Sequence, residues 1–223
     1  VDSEQKALQN IENIIAEAPA RVIFTTFSTH ADRYEYVNSI AKKYGRPVYA
    51  IGSNLDFSLT ARNIQVHSTY TIPHNDMEKN AILFVTGSQA EPESALMRAL
   101  WNDDKARFAL ESSDTVIISS DPIPANGIEE EVCKMVKGLL TVVKDVFINE
   151  DAPDYFPAVA KRRKIHASGH GKRQDLEWMM DALRPKTVIP IHADLQKRTA
   201  LAEIAEEKGL KALLLEEGQT VEL

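Results

Sequence analysis

The pattern that most limits the fold of this chain is an alternation of short apolar runs, rich in β-branched and aromatic residues, with longer stretches of helical periodicity. Such alternation marks a parallel sheet, because parallel strands need a long return path and a crossover helix supplies it. Residues 21–27, 47–52, 81–87, 115–119, 146–149, 164–168 and 187–192 read as strands. Residues 4–18, 33–44, 92–101, 127–143, 173–183 and 195–208 read as helices, the first stopped by Pro19, which cannot continue a helix. Runs 212–216 and 220–223, separated by Glu217-Gly218-Gln219, read as a closing antiparallel hairpin. The fold class is therefore α/β, a mostly parallel sheet with flanking helices. The best candidate boundary lies in 149–163, where Pro153 and Pro157 interrupt a mixed acidic and aromatic stretch.

Composition narrows the function classes. With 223 residues and 43% apolar content the chain can bury one large core or two small ones. Cys133 is the single cysteine, which excludes an intrachain disulfide framework or a cysteine-based metal site. No apolar run nears the roughly 20 residues of a membrane span, so a cytoplasmic protein with no membrane partner is expected. A net charge of -7 argues against wholesale electrostatic capture of nucleic acid. Locally the balance reverses: Lys161, Arg162, Arg163, Lys164, Lys172 and Arg173 gather with His166 and His170, with no acid among them. A solvated basic face and an anion site both fit that run.

In parallel sheets chemistry collects beyond the carboxyl ends of the strands. Four strand ends here are polar. Phe27-Ser28-Thr29-His30 leads to Arg33. Thr86-Gly87-Ser88-Gln89 precedes a helix for which Pro92 suits the first position, and such a turn offers backbone N–H groups to an anion or simply caps its helix. Ser119-Ser120-Asp121-Pro122-Ile123-Pro124-Ala125-Asn126-Gly127 reads as a rigid corner. His166-Ala167-Ser168-Gly169-His170, followed by His192 and Asp194, ends two strand patterns in histidines. A histidine in such a place can ligate metal, move a proton or serve structure.

Taken together and in order, these segments resemble the β-CASP branch of the metallo-β-lactamase superfamily, and within it ribonuclease J. The matching segments are FSTHADR (27–33), TGSQAEPESALMRAL (86–100), SSDPIPANGIE (119–129), HASGHGKR (166–173) and PIHAD (190–194). The resemblance covers nearly the whole chain. It implies a β-CASP domain over 1–163 and the C-terminal piece of a metallo-β-lactamase domain over 164–223. It further implies a zinc-dependent ribonuclease, a 5′-to-3′ exonuclease in preference to an endonuclease, acting on single-stranded RNA with a 5′-monophosphate and using two zinc ions in the intact enzyme. A homodimer stays open. By matching position, His192 would ligate zinc, with Asp194 behind it to orient the site, and His170 would be catalytic. Phe27, Ser28, Thr29, Arg33, Gly87, Ser88, Gln89, His166, Ser168 and Gly169 would hold RNA or its phosphates.

The chain departs from the family pattern in places. Ala193 and Asp194 follow the histidine of PIHAD where glycine and glutamate are usual, Ala90 replaces a glycine, and Ala125 alters a turn. The family's His-x-His-x-Asp-His segment is absent, and His30, His67, His74, His166, His170 and His192 contain no pair with that spacing. The chain opens at Val1 and not at a methionine, so a catalytic half is expected upstream, and this piece alone is expected not to cut RNA. Two other classes remain: an RNA-binding module without hydrolytic activity, and a Rossmann-like nucleotide or sugar-nucleotide domain. The latter lacks G-x-G-x-x-G after its first strand.

Overall fold

The computed structural model describes residues 2–68, 77–124, 127–169 and 171–222. They form two compact units, Val1–Ala167 and Ser168–Leu223.

The first unit runs α1 (Asp2–Glu17), β1 (Val22–Thr25), α2 (Ala31–Lys43), β2 (Val48–Ile51), α3 (Ser53–Ala61), β3 (His67–Ser68), β4 (Ile82–Val85), α4 (Ala95–Leu100), β5 (Thr115–Ile118), α5 (Ile128–Val142), β6 (Asp145–Asn149) and β7 (Lys161–Arg163). Its strands make one parallel sheet in the order β3-β2-β4-β1-β5-β6-β7, with Phe24 in register with Phe84 on one side and Ile117 on the other. The central strands are buried on both faces, which is why they read as continuous apolar runs and not as alternating ones. One face packs Ile23, Leu83, Val85, Val116 and Ile118 against α4 and α5. The other packs Phe24, Phe84, Ile82 and Ile117 against α1, α2 and α3 through Ile11, Ile15, Tyr34, Val37, Leu55 and Leu59.

This topology creates a crevice. The chain leaving β1 turns into α2 on one face and goes to β2, while the chain leaving β5 turns into α5 on the opposite face and goes to β6. Because β1 and β5 are neighbours, their carboxyl ends diverge around a topological switch point, where open α/β sheets bind ligands.

Three expectations change in this unit. The strand foreseen at 164–168 lies earlier, at β7, a basic edge strand in which Phe147 pairs with Lys161. Its position follows from side-chain bonds: Arg162 donates to the carbonyls of Ala152 and Pro153, and Lys161 reaches Asp145 at 2.6 Å. Helix α4 starts at Ala95, not at Pro92, because Ser94 caps it by accepting from the Met97 N–H. Helix α3 and strand β3 were not foreseen.

The second unit holds α6 (Arg173–Leu183), β8 (Thr187–Val188), α7 (Leu195–Glu207) and β9 (Lys211–Ala212). Its core is small: Met180, Ile204 and Ala205 are buried, with Leu176, Val188, Leu201, Leu210 and Ala212 around them. Strands β8 and β9 pair in parallel, since α7 returns the chain in the same direction. The closing antiparallel hairpin is therefore a correction: among the described residues 213–222 form no strand. A turn stands there, with the Gln219 N–H donating to Glu216 O at 3.0 Å. The strand expected over 187–192 ends at Val188, ahead of Pro190, which has no N–H for a ladder, and His192, whose φ is 58°.

Candidate functional site

The crevice of the first unit is built on a buried polar network. Arg33, on the first turns of α2, has a side chain only 2% exposed. Its Nε and Nη2 grip the carboxylate of Glu4 on α1 at 2.6–3.2 Å. Its Nη1 donates to the Ser119 carbonyl at 3.1 Å, the Ser119 hydroxyl at 3.2 Å and His166 Nδ1 at 2.8 Å. Ser119 passes the connection on, donating from its hydroxyl to Ile165 O at 2.6 Å, while the Thr26 hydroxyl donates to Ser119 O at 2.7 Å. At the end of β6, Asn149 Oδ1 accepts from the N–H groups of Ile165 and His166, and its Nδ2 donates to Asp121 Oδ1 at 2.8 Å.

Two imidazoles face each other in this setting. The rings of His30 and His166 lie 6.0 Å apart, and Phe27 stands edge-on to both at 6.1 and 6.2 Å. Burial, more than any charge, holds both histidines below their ordinary pKa. Arg33 pushes each further down, His30 does the same to His166, and the nearby carboxylates of Asp121 and Glu4 on His166, and of Glu4 and Asp32 on His30, oppose it. His30 Nδ1 is buried with no hydrogen-bond partner among the described residues. His166 Nε2 lies 3.9 Å from Asp121 Oδ2, longer than a hydrogen bond.

The glycine turn after β4 is a brace. Gln89 is buried and donates from Nε2 to Ser88 O at 3.2 Å, the Ser120 hydroxyl at 3.3 Å and Asp121 O at 3.1 Å, while its Oε1 accepts from the Ile123 N–H at 2.8 Å. The amide's orientation follows, since a backbone N–H can only donate and must face the oxygen. Gly87 sits at φ 125°, where a Cβ would lie 2.5 Å from the Ser94 hydroxyl and 2.9 Å from Leu96 Cβ. Ala90, standing where glycine is usual, adopts φ 58° and is buried.

The sequence-predicted site residues thus sort by place. In the first unit Phe27 is half-buried and Ser28 and Thr29 are exposed on the rim; Arg33, Gly87, Ser88, Gln89 and His166 are buried. In the second unit Ser168, Gly169, His192 and Asp194 are exposed, and His170 lies outside the described residues, as do His74, Ala125 and Asn126. Asp194 caps α7, accepting from the Lys197 N–H at 2.9 Å, and that bond, foremost, holds its carboxyl below the usual range. Among the described residues no group of three or more His, Cys, Asp or Glu side chains could hold a metal ion. The basic run is largely spent internally: Lys161 on Asp145, Arg162 on carbonyls, Lys164 on Asp151 at 2.6 Å, and Arg173 on Glu177 and Glu207 at 2.7 and 3.1 Å. Sequence reasoning missed Glu4, Ser119, Asp121 and Asn149 as site builders. Only the polar character of the strand ends signalled the last three.

Comparison with known proteins agrees with the architecture. Residues 19–139 match the family described as Ribonuclease J, beta-CASP domain, and residues 156–215 match the Zn-dependent metallo-hydrolase RNA specificity domain. A ribonuclease J of Mycoplasma genitalium is 31% identical over 99% of this chain and 38% of its own length. One from Thermus thermophilus is 32% identical over 99% of this chain and 38% of its own. Ribonuclease J2 of Bacillus subtilis is 29% identical over 99% and 39%. The chain thus spans under two fifths of the length of these relatives.

Proposed function

This chain belongs to the ribonuclease J β-CASP family, and from that membership we propose that it is the RNA-gripping portion of a ribonuclease, with RNA seated in the crevice between the carboxyl ends of β1 and β5. The observation that carries the reading is the Glu4–Arg33–Ser119–His166 network. It braces the loops that line a switch-point crevice, with Ser28 and Thr29 exposed on its rim and His166 buried against Phe27. RNA recognition of this kind targets unstacked single strands. The proposed substrate is a single strand with a 5′-monophosphate, degraded in the 5′-to-3′ direction by the longer protein, in the cytoplasm.

In this reading residues 1–163 are the β-CASP domain and 164–223 are the terminal piece of a hydrolase domain whose remainder lies outside the chain. The second unit supports this, because its core is small while Trp178, Leu183 and Leu195 are 71%, 70% and 63% exposed. His170 is assigned the catalytic role, His192 a metal-ligand role and Asp194 its orientation, with Ser168 and Gly169 beside a phosphate. The family description names zinc, yet the described residues do not make a zinc site by themselves. What they supply to the reaction is grip and position.

The test is a paired binding and cleavage assay on this chain, using one single-stranded oligonucleotide with either a 5′-monophosphate or a 5′-hydroxyl, with and without added zinc. Binding that prefers the monophosphate, without cleavage, is the expected result. Cleavage with stoichiometric zinc would refute the division of labour, and a preference for sugar-nucleotides over RNA would refute the reading itself.

A further inference from the structure

Arg33 and His166 together fix a protonation state. A neutral imidazole has one ring nitrogen that donates and one that accepts, whereas a guanidinium only donates and stays charged at any ordinary pH. Arg33 Nη1 lies 2.8 Å from His166 Nδ1, so Nδ1 must present its lone pair, and the ring proton must reside on Nε2. The imidazolium form is opposed as well, because a proton on Nδ1 would point at the Arg33 N–H groups, donor against donor, inside a pocket where His166 is 5% exposed. Arg33 cannot turn away to relieve this. Its other two nitrogens are gripped by Glu4, and the same Nη1 is shared with both oxygens of Ser119. The ring is confined as well: His166 is 5% exposed, with the rings of Phe27 and His30 packed against it at 6.2 and 6.0 Å.

We propose that Arg33 is a positioning residue that locks His166 as the neutral Nε2–H tautomer. In that form His166 meets an oxygen of the substrate as a hydrogen-bond donor. It is neither a base nor a metal ligand, because Nδ1 is taken by Arg33 and Nε2 carries the proton. The 3.9 Å gap to Asp121 leaves the Nε2–H uncommitted to an acceptor among the described residues. Phe27, edge-on to the ring, helps keep its plane fixed. Glu4 acts one step further back: by neutralising Arg33 it makes a buried guanidinium tolerable beside an uncharged histidine. The use of this donor on RNA rests on the function proposed above, while the tautomer lock does not.

The direct test is long-range ¹H–¹⁵N NMR of the full chain labelled on histidine, with the His166 signals identified by their loss in His166→Gln. At neutral pH the unsubstituted chain should show Nδ1 bare and Nε2 protonated. A proton on Nδ1, or a doubly protonated ring, overturns the proposal. Arg33→Met should release the lock and give exchange between tautomers, and an unchanged Nε2–H signal there overturns it too. Should Arg33→Met not fold, Glu4→Gln keeps the guanidinium but loosens its aim, and should broaden the same signals; signals as sharp as the parent's count against the lock. A titration with a 5′-monophosphorylated single strand separates the two layers. His166→Gln and Arg33→Met should each weaken binding about tenfold, and the double variant no further, as for residues acting in one chain of contacts. The expected tautomer together with unaltered RNA binding in His166→Gln would sustain the lock and sink the RNA reading. The wrong tautomer would sink the lock whatever the RNA does.

Discussion

Gln89 offers the sharpest separation between a residue that grips substrate and one that holds the crevice in shape. Its amide makes three donor contacts and accepts one, all to neighbouring loop atoms. Gln89→Leu keeps most of the volume and removes all four. The Ser120 hydroxyl retains Ser88 O as a weak partner at 3.5 Å, so the net loss falls on Asp121 O, the Ile123 N–H and one donor to Ser88 O. At about 1 kcal/mol for each of three such bonds, reduced where water reaches the partly exposed Ile123, the loss is about 2–3 kcal/mol. With a urea m-value of about 2–3 kcal/mol per molar, the unfolding midpoint should drop by about 1 M. RNA affinity, measured in the absence of denaturant, should fall less than for His166→Gln, because the brace acts through the loop and not on the strand. A midpoint moved by under about 0.3 M together with a loss of affinity beyond tenfold would refute the reasoning and return Gln89 to the RNA-contacting set.

Other consequences can be measured on the same chain. Gly87→Ala should cost at least about 2 kcal/mol, since the added Cβ meets Ser94 and Leu96 at a positive φ, whereas Ala90→Gly should be neutral or stabilising by up to about 1 kcal/mol by relieving a left-handed alanine; paired urea melts check both. The folded chain holds His30 and His166 below their ordinary pKa, so the unfolded chain binds more protons once pH drops beneath about 6.5. Stability that is full above that value should therefore fall as pH moves from about 7.5 to about 5.5, and His30→Phe should flatten the decline in urea midpoints. RNA binding should depend only weakly on salt, with a log–log slope shallower than about −2, because Lys161, Lys164 and Arg173 of the basic run are paired with carboxylates; a slope near −4 would mean that these cations leave their partners to meet phosphates.

What the sequence made legible follows from how each part is stabilised. Strands β1, β2, β4 and β5 are buried on both faces, so their apolar runs announce them, and they were overrun at the ends only because polar residues that still favour β structure continue past the last ladder pair. Strand β7 is three basic residues on a sheet edge and carries no apolar signal; its pairing is set by Arg162 and Lys161 finding partners far from the strand's own pattern. Among its described side chains helix α3 buries Leu55 and Leu59, too few positions to register as a periodic stripe. In the crevice, His166 and Arg33 stood in recognisable segments, but their relation spans 133 residues of chain and passes through Glu4, Ser119 and Asn149, which no local pattern selects. The burial of the Arg33 side chain against Glu4 is a tertiary fact: it is decided by which side of α2 faces α1.

The network's cost explains its shape. Burying Arg33 with one carboxylate and an uncharged imidazole would be unfavourable if any member lacked a partner, since a buried ion pair broken on one side loses several kcal/mol. Every donor of the guanidinium is therefore matched, and the matching partners come from α1, the end of β5 and the loop after β7. A loop displaced from this arrangement would leave unpaired groups in the others, so the loops must open together or not at all. For a protein that binds a flexible single strand this is the favourable division: the strand loses its freedom on binding, whereas the protein's donors were ordered when the chain folded. The same rigidity restricts what His166 can do, because a ring that cannot change tautomer without breaking contacts to α1 and the end of β5 is suited to holding an oxygen and unsuited to shuttling a proton.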